Sequence, residues 1–492
     1  MSLTTLVLVI AAIALVLTVL LGMGRKIIQN YLVTYLQNFT GVLFLISGFV
    51  KAVDPLGTAF KLEQYFAEFE STFAGTKAAF LAPMFPTLAE YAVAFSVFMI
   101  VFEIVLGVML LIGFWRKFTA WAFFLLVVFF TFLTGFTFLT GYVPEGVNFF
   151  QFSQWGPYVE TNMKVTDCGC FGDFIKLEPF TSFMKDVFLL IPAFLFLFRS
   201  KQMHQLFGNT ARAALTALTL GATTLYCLSN YVWDIPHADF RPFYVGNNIA
   251  EQKQLEEDAA INVKVLAYKV TNRETGESRE IPFDQYLAEY QNYPEEEWEL
   301  SQIQSEPEVA ATKISDFEVS DLEGNDVTYD ILEYEGKSLM IVAYKLYGTE
   351  ETVMSVVPDS IYTVDTLVTE DGLQPMPRLV RVDEKMVETT IYQWDPDYLA
   401  KWQDKLQPLA QAAHEAGLKV FAIVPYAGAE KIQSFAEALG ADYDFYIADD
   451  ILLKTIIRSN PGLVYMENGT IIEKWHRRKL PDFATFQLDY LQ

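Results

Sequence analysis

The residue types most able to do chemistry are the cysteines, and the 492-residue chain has only three, at positions 168, 170 and 227. Three thiols exclude a disulfide scaffold, so any disulfide chemistry must come from a single pair. That pair stands in Asp167-Cys168-Gly169-Cys170-Phe171-Gly172-Asp173. A Cys-x-Cys pair closes a very small ring, which is strained and readily reduced, and the central glycine permits the backbone angles that closure needs. So short a loop would restrict the unfolded chain little, so dithiol exchange suits it better than stapling. A structural pair and a metal site are the alternatives. The metal reading lacks a third and fourth ligand nearby, since His204 and His237 fall in other segments. No metal centre is therefore expected. Asp167 and Asp173 disfavour the thiolate by like-charge repulsion, unless Lys164, Lys176 or a helix end offsets them.

Other candidates lie inside apolar runs. Glu103 sits deep in Ala89–Gly113, where an ionisable group is costly and is by default a functional hypothesis. It is either hydrogen-bonded and structural or a proton relay. Lys51 and Asp54 have the i, i+3 spacing of an opposite-charge pair on one helical face; they read as a cap and anchor, with a binding role beside the thiols as the alternative. Cys227 is usually the kind of residue that packs as a small apolar group, with a third redox position as the other reading.

The elements that hold these residues belong to two different materials. The whole chain is 52% hydrophobic and 19% charged, too apolar for an ordinary soluble enzyme. Residues 1–233 carry 13 Lys/Arg and 12 Asp/Glu, net +1, and residues 234–492 carry 22 and 48, net −26. The acidic half argues against nucleic acid as a partner. In the front half, Leu3–Met23, Leu32–Val50, Ala89–Gly113, Phe118–Tyr142 and Ala213–Trp233 reach the ~20 apolar residues that a bilayer needs. Phe180–Phe198 is a weaker sixth segment, with Lys185 and Asp186 near its start. Basic residues at Arg25/Lys26, Arg116/Lys117 and Arg199/Lys201/Arg212 follow the first, third and fifth segments and mark cytoplasmic ends. Six spans are expected, with both termini, the 51–88 and 143–179 loops and everything after Trp233 outside. The first segment lacks the basic start and cleavage site of a signal peptide and is expected to stay as an anchor.

The Asp-Cys-Gly-Cys-Phe-Gly motif between hydrophobic helices resembles the MauE/DoxX group of redox-associated membrane proteins. So does Gly41-Val-Leu-Phe-Leu-Ile-Ser-Gly-Phe-Val-Lys-Ala-Val-Asp-Pro55, which is similar to the end of that group's first core helix, Ser-Gly-x-x-Lys-x-x-Asp-Pro. The resemblance covers roughly residues 30–200. It implies association with quinone-linked or disulfide-forming electron transfer, and MauE itself is linked to maturation of a disulfide-rich periplasmic dehydrogenase.

In the back half, Val263–Val270 alternates like a half-buried strand, Thr271–Ser278 supplies turn residues, and Arg279–Ile281 starts a return strand, giving a connector with a hairpin. From Lys313 the pattern becomes strand Leu339–Tyr344, helix Asp397–Ala416, strand Lys419–Pro425, helix Glu430–Leu439, strand Tyr443–Ile447 and helix Asp450–Ile457. Two strands then meet around Asn468-Gly469, a strong hairpin signal. Helix, proline loop and hairpin in that order resemble the thioredoxin fold, in which a cis proline faces the active site; Pro461 matches it. Where that family carries Cys-x-x-Cys, this chain reads Lys345-Leu-Tyr-Gly-Thr-Glu350, and no cysteine follows Cys227. Without a thiolate the module cannot exchange disulfides. Residues 357–396 read as an insertion of several strand-like pieces, and Trp475–Arg478 as a solvated basic patch or an anionic-partner site.

The expected architecture is an α-helical membrane bundle followed by a cysteine-free α/β thioredoxin-like extracytoplasmic domain. Its divisions are an anchor (1–30), a MauE/DoxX-like transmembrane domain (31–233), a connector (234–312) and a thioredoxin-like domain (313–492). The expected function is a bacterial inner-membrane redox protein, a thiol/quinone oxidoreductase component. Two electrons would pass from an extracytoplasmic protein dithiol through Cys168/Cys170 to a membrane quinone. The alternative is a non-enzymatic scaffold, anchored in the lipid bilayer, whose acidic domain recruits an envelope partner.

Overall fold

A computed structural model describes residues 2–24, 27–165, 169–369 and 372–491. Arg25, Lys26, Asp167 and Cys168 lie outside the described residues. The chain divides into two compact units, Met1–Tyr244 and Val245–Gln492.

The first unit is helical: α1 (Leu3–Met23), α2 (Tyr31–Val53), α3 (Pro55–Ala74), α4 (Met84–Glu90), α5 (Ala92–Ile112), α6 (Arg116–Thr140), α7 (Pro179–Arg199) and α8 (Asn209–Leu228). Local chemistry sets the boundaries. The Asn30 side chain accepts from the Val33 amide and caps α2, and Asp54 accepts from the Gly57 amide to start α3 with Pro55 in its first turn. Gly113 ends α5 at φ 67°, in the left-handed region that favours glycine. Helices α2 and α5 lie in close contact because glycine faces the partner: a Cβ at Gly48 would fall 2.5 Å from Ile104, and one at Gly41 2.8 Å from Leu111. Phe44, Phe123 and Phe196 join α2, α6 and α7 in one buried cluster.

Among the described residues, five helices are long and apolar enough to cross a membrane: α1, α2, α5, α6 and the stretch Pro179–Gln202. Of the six segments expected to span, five meet this criterion. The segment expected at Ala213–Trp233 is helical as α8, but Thr210, Thr216, Thr219, Thr223 and Thr224 dilute its apolar character. The segment expected to be weak, α7, passes despite Lys185 and Asp186.

The second unit opens with α9 (Ile249–Ile261). An antiparallel sheet follows, of β1 (Val265–Asn272), β2 (Ser278–Pro282) and, after α10 (Phe283–Glu289), β3 (Trp298–Gln304), in the order β2-β1-β3. After α11 (Thr328–Leu332) come β4 (Lys337–Val342), β5 (Gly348–Thr369), β6 (Gly372–Trp394), α12 (Pro396–Gln403), α13 (Leu406–Glu415), β7 (Lys419–Pro425), α14 (Ala429–Leu439), β8 (Asp444–Ala448), α15 (Asp450–Ile456), β9 (Gly462–Glu467), β10 (Thr470–His476) and α16 (Phe483–Phe486). Strands β4, β7 and β8 are parallel, β9 and β10 antiparallel, in the order β10-β9-β4-β7-β8. Strand β4 is buried from Ser338 to Val342, as expected for a central strand with both faces covered. The β9–β10 turn carries Asn468 at φ 50° and Gly469 at φ 75°, as an Asn-Gly hairpin requires.

Three expectations for this unit change. The helix expected over Asp397–Ala416 is two helices, α12 and α13. Pro408 lacks the N–H that would bond residue 404, and its ring crowds that carbonyl. The pieces expected in 357–396 are instead the arms of one antiparallel ribbon, β5 paired with β6 from Gly348/Trp394 outward. The Trp475–Arg478 patch is only partly solvated: His476 is buried, Trp475 and Arg477 are half-buried, and only Arg478 is exposed.

Candidate functional site

The membrane unit contains a cavity of about 870 Å³ of empty space, mouth included, lined from α2, α3, α5, α6, α7 and the Gly169–Phe171 segment. Phe44, Leu62, Met99, Phe129, Phe130 and Leu189 make its walls mostly apolar. A few polar groups converge on it, as in ligand sites generally.

Lys51, near the end of α2, places its Nζ 2.5 Å from Glu103 Oε2 on α5, and both side chains are buried. The same ammonium lies 5.0 Å from the Phe130 ring centre, a cation–π contact that replaces part of its lost hydration. The expected pairing of Lys51 with Asp54 is thereby corrected. One turn separates them in sequence, yet Lys51 points inward to Glu103, because an uncompensated carboxylate there would be far more costly than an exposed one. Asp54 instead caps α3.

Opposite this pair, α7 contributes Asp186, which is 1% exposed. Its Oδ1 lies 2.5 Å from Lys185 Nζ, and its Oδ2 accepts from Thr134 Oγ1 on α6 at 3.0 Å. The sequence reading treated Asp186 only as a blemish in an apolar segment. The signal was the one that singled out Glu103, a carboxylate within an apolar helix.

Cys170 is half-buried in the cavity wall, and its carbonyl accepts from Ser47 Oγ at 2.9 Å. The structure thus brings Cys170, Glu103 and Lys51 to one cavity and adds Asp186. Cys227 lies elsewhere: it is fully buried in an aliphatic cluster with Ala52, Ile100, Val101 and Ile104, where it fills space. Among the described residues, no three His, Cys, Asp or Glu side chains gather to hold a metal ion.

Pro461 belongs to the second unit. The Asn460–Pro461 peptide is cis. Asn460 Nδ2 donates to the Lys345 carbonyl at 2.8 Å, the Tyr398 hydroxyl donates to the same oxygen at 2.8 Å, and Ser459 Oγ donates to the Pro461 carbonyl at 2.6 Å. The start of the segment Lys345–Glu350 therefore lies against the proline turn.

Residues 29–144 match the family model described as methylamine utilisation protein MauE. No curated protein and no solved structure matches the chain. The matched segment runs from α2 through α6 and contains Lys51 and Glu103, whereas Cys170, Lys185 and Asp186 lie beyond it. The family match over residues 29–144 and the five apolar helices among the described residues support a MauE-like, multi-pass membrane protein.

Proposed function

We propose that this protein is a redox component of a bacterial inner membrane that passes electrons from an extracytoplasmic protein dithiol to a quinone. The observation that carries the reading is the position of Cys170 in the wall of an apolar cavity that also holds the buried Lys51–Glu103 pair and the half-buried Lys185 beside buried Asp186. In the first step a partner's two thiols reduce a Cys168–Cys170 disulfide and leave as a partner disulfide. The two thiols of the pair then close again. Their two electrons and two protons pass to the quinone, which leaves as quinol. Glu103, held by Lys51, and Asp186 are the groups that would carry the protons, and the aromatic walls suit a quinone ring. Cys227, sealed among aliphatic side chains, has no part in it.

We read the second unit as a cysteine-free thioredoxin-like module that docks the partner. Its support is the parallel β4-β7-β8 core, the antiparallel β9–β10 hairpin beside β4, and Asn460 bonded to the segment where a thiol pair would stand. Tethering such a module to the membrane unit raises its effective concentration beside the thiols.

The test is thiol labelling in membranes with an impermeant alkylating reagent. Labelling of Cys168 and Cys170 should rise when the quinone pool is reduced and fall when it is oxidised, and Cys170→Ser should trap a mixed disulfide through Cys168. Labelling indifferent to the pool, with no trapped partner, would leave the scaffold reading. The ribbon β5–β6 favours that second reading, since Met354, Val356, Tyr362, Leu379, Val382 and Met386 are exposed along it.

A further inference from the structure

A second cavity in the membrane unit, of about 670 Å³ of empty space with its mouth, lies between α3, the end of α6 and residues 143–164. Its polar side chains are unequally occupied. Asn148 Nδ2 donates to the Thr72 carbonyl at 2.8 Å, Ser71 Oγ to the Glu68 carbonyl at 3.0 Å, and Thr140 Oγ1 to the Thr137 carbonyl at 2.7 Å. These donors are spent on the backbone. Two acceptors are not engaged: among the described residues, neither the Glu68 carboxylate nor the Asn162 side-chain oxygen takes a hydrogen bond or an ion pair. Phe136 and Phe149 line the same space. A half-buried carboxylate and a spare amide oxygen beside apolar walls together form an environment for a cation.

We propose that this cavity binds a primary ammonium group, held by Glu68 and Asn162 and flanked by Phe136 and Phe149. Either a free amine or the lysine side chain of a protein would supply the group. Lys164 stands on the rim, so it opposes a bound cation. Burial holds the Glu68 carboxyl above its ordinary value, and Lys164 acts against this with the smaller effect. Glu68 and Lys164 are the titratable groups that line the cavity among the described residues. Ammonium binding should therefore weaken as pH falls through the raised Glu68 value, because the carboxyl loses its charge there. This site is separate from the thiol cavity, and its test does not depend on any redox activity.

The experiment is calorimetric titration of the full-length protein in lipid nanodiscs with n-butylammonium, with n-butanol as the uncharged control. The ammonium should bind and the alcohol should not. Glu68→Gln should weaken binding roughly 10-fold or more, and Lys164→Gln should tighten it, an opposite response that loss of folding cannot produce. A parallel titration with Nα-acetyl-lysine amide separates the sources: equal binding supports a protein lysine as the occupant, and binding of n-butylammonium alone supports a free amine. No binding of either compound up to ~10 mM, or binding unchanged in Glu68→Gln, overturns the proposal.

Discussion

Lys51 and Glu103, 52 positions apart on α2 and α5, form a buried ion pair at 2.5 Å on the wall of the cavity that contains Cys170. Removing one member of such a pair leaves a buried charge uncompensated, whereas replacing both by apolar groups removes the cost on each side. Lys51→Met and Glu103→Met should each destabilise the membrane unit by about 3–5 kcal/mol, and the double variant by less than either alone. Thermal unfolding of the three variants in one detergent checks this; additive losses would show that the two groups are not coupled.

The close approach of α2 and α5 is a second condition for that pair. In Gly48→Ala the new methyl group would sit 2.5 Å from Ile104, so the helices must separate or Ile104 must leave its rotamer, at a cost of about 1–3 kcal/mol. Gly221→Ala, on α8 with nothing within 4 Å of the new carbon, should leave the melting temperature unchanged or slightly higher, because alanine favours the helix. Equal melting temperatures for both variants would contradict the packing described.

The orientation of the second unit turns on α8. A reporter that works only in the cytoplasm should be active when fused after Lys117 or Lys201 and silent when fused after Trp233, if α8 crosses the membrane. Activity after Trp233 would show that the chain crosses only five times and would put the second unit in the cytoplasm.

The second unit carries its own pH dependence. Asp321 accepts from the Asn325 side chain at 2.8 Å and from the backbone amides of Glu323 and Asn325, and these bonds hold its carboxyl below the ordinary value of 3.8. Hydrogen bonds from Thr328 and Thr485 do the same for Asp326 and Asp482. A lowered folded-state value means that the stabilisation is complete above the unfolded value and is lost as pH falls through the folded one. Unfolding of this unit should therefore become easier as pH drops below about 4. The slope should be shallower in a variant with all three aspartates changed to asparagine; an unchanged slope would exclude these caps as its source.

Much of this protein was legible along the chain because the responsible physics is local. The length of an apolar run decides whether a helix can cross a bilayer, so α1, α2, α5 and α6 could be placed from composition alone. Asn468-Gly469 dictated its own hairpin, since both residues tolerate positive φ. Asp54 was read as closing α2, yet it caps α3, a helix that the sequence reading left inside the 51–88 loop although Asp-Pro is a helix-start signal. Pro408 carried the break between α12 and α13 as plainly, but the apolar periodicity on either side hid it.

Tertiary structure alone decided what each buried charge meets. Spacing offered Lys51 the neighbour Asp54, yet folding gave it Glu103, because burial makes an unpaired carboxylate costly only once α2 and α5 have closed on their glycines. Asp186 looked like a defect in an apolar helix until Thr134 on α6 donated to it across the cavity. Strands β5 and β6 showed no sign of their register, since among the residues whose burial is described none is buried and little side-chain patterning is left to set it. Local preferences act within a few residues, whereas desolvation is imposed by whichever distant surfaces the fold brings together, and that is why the elements were legible in the sequence and the cavity was not.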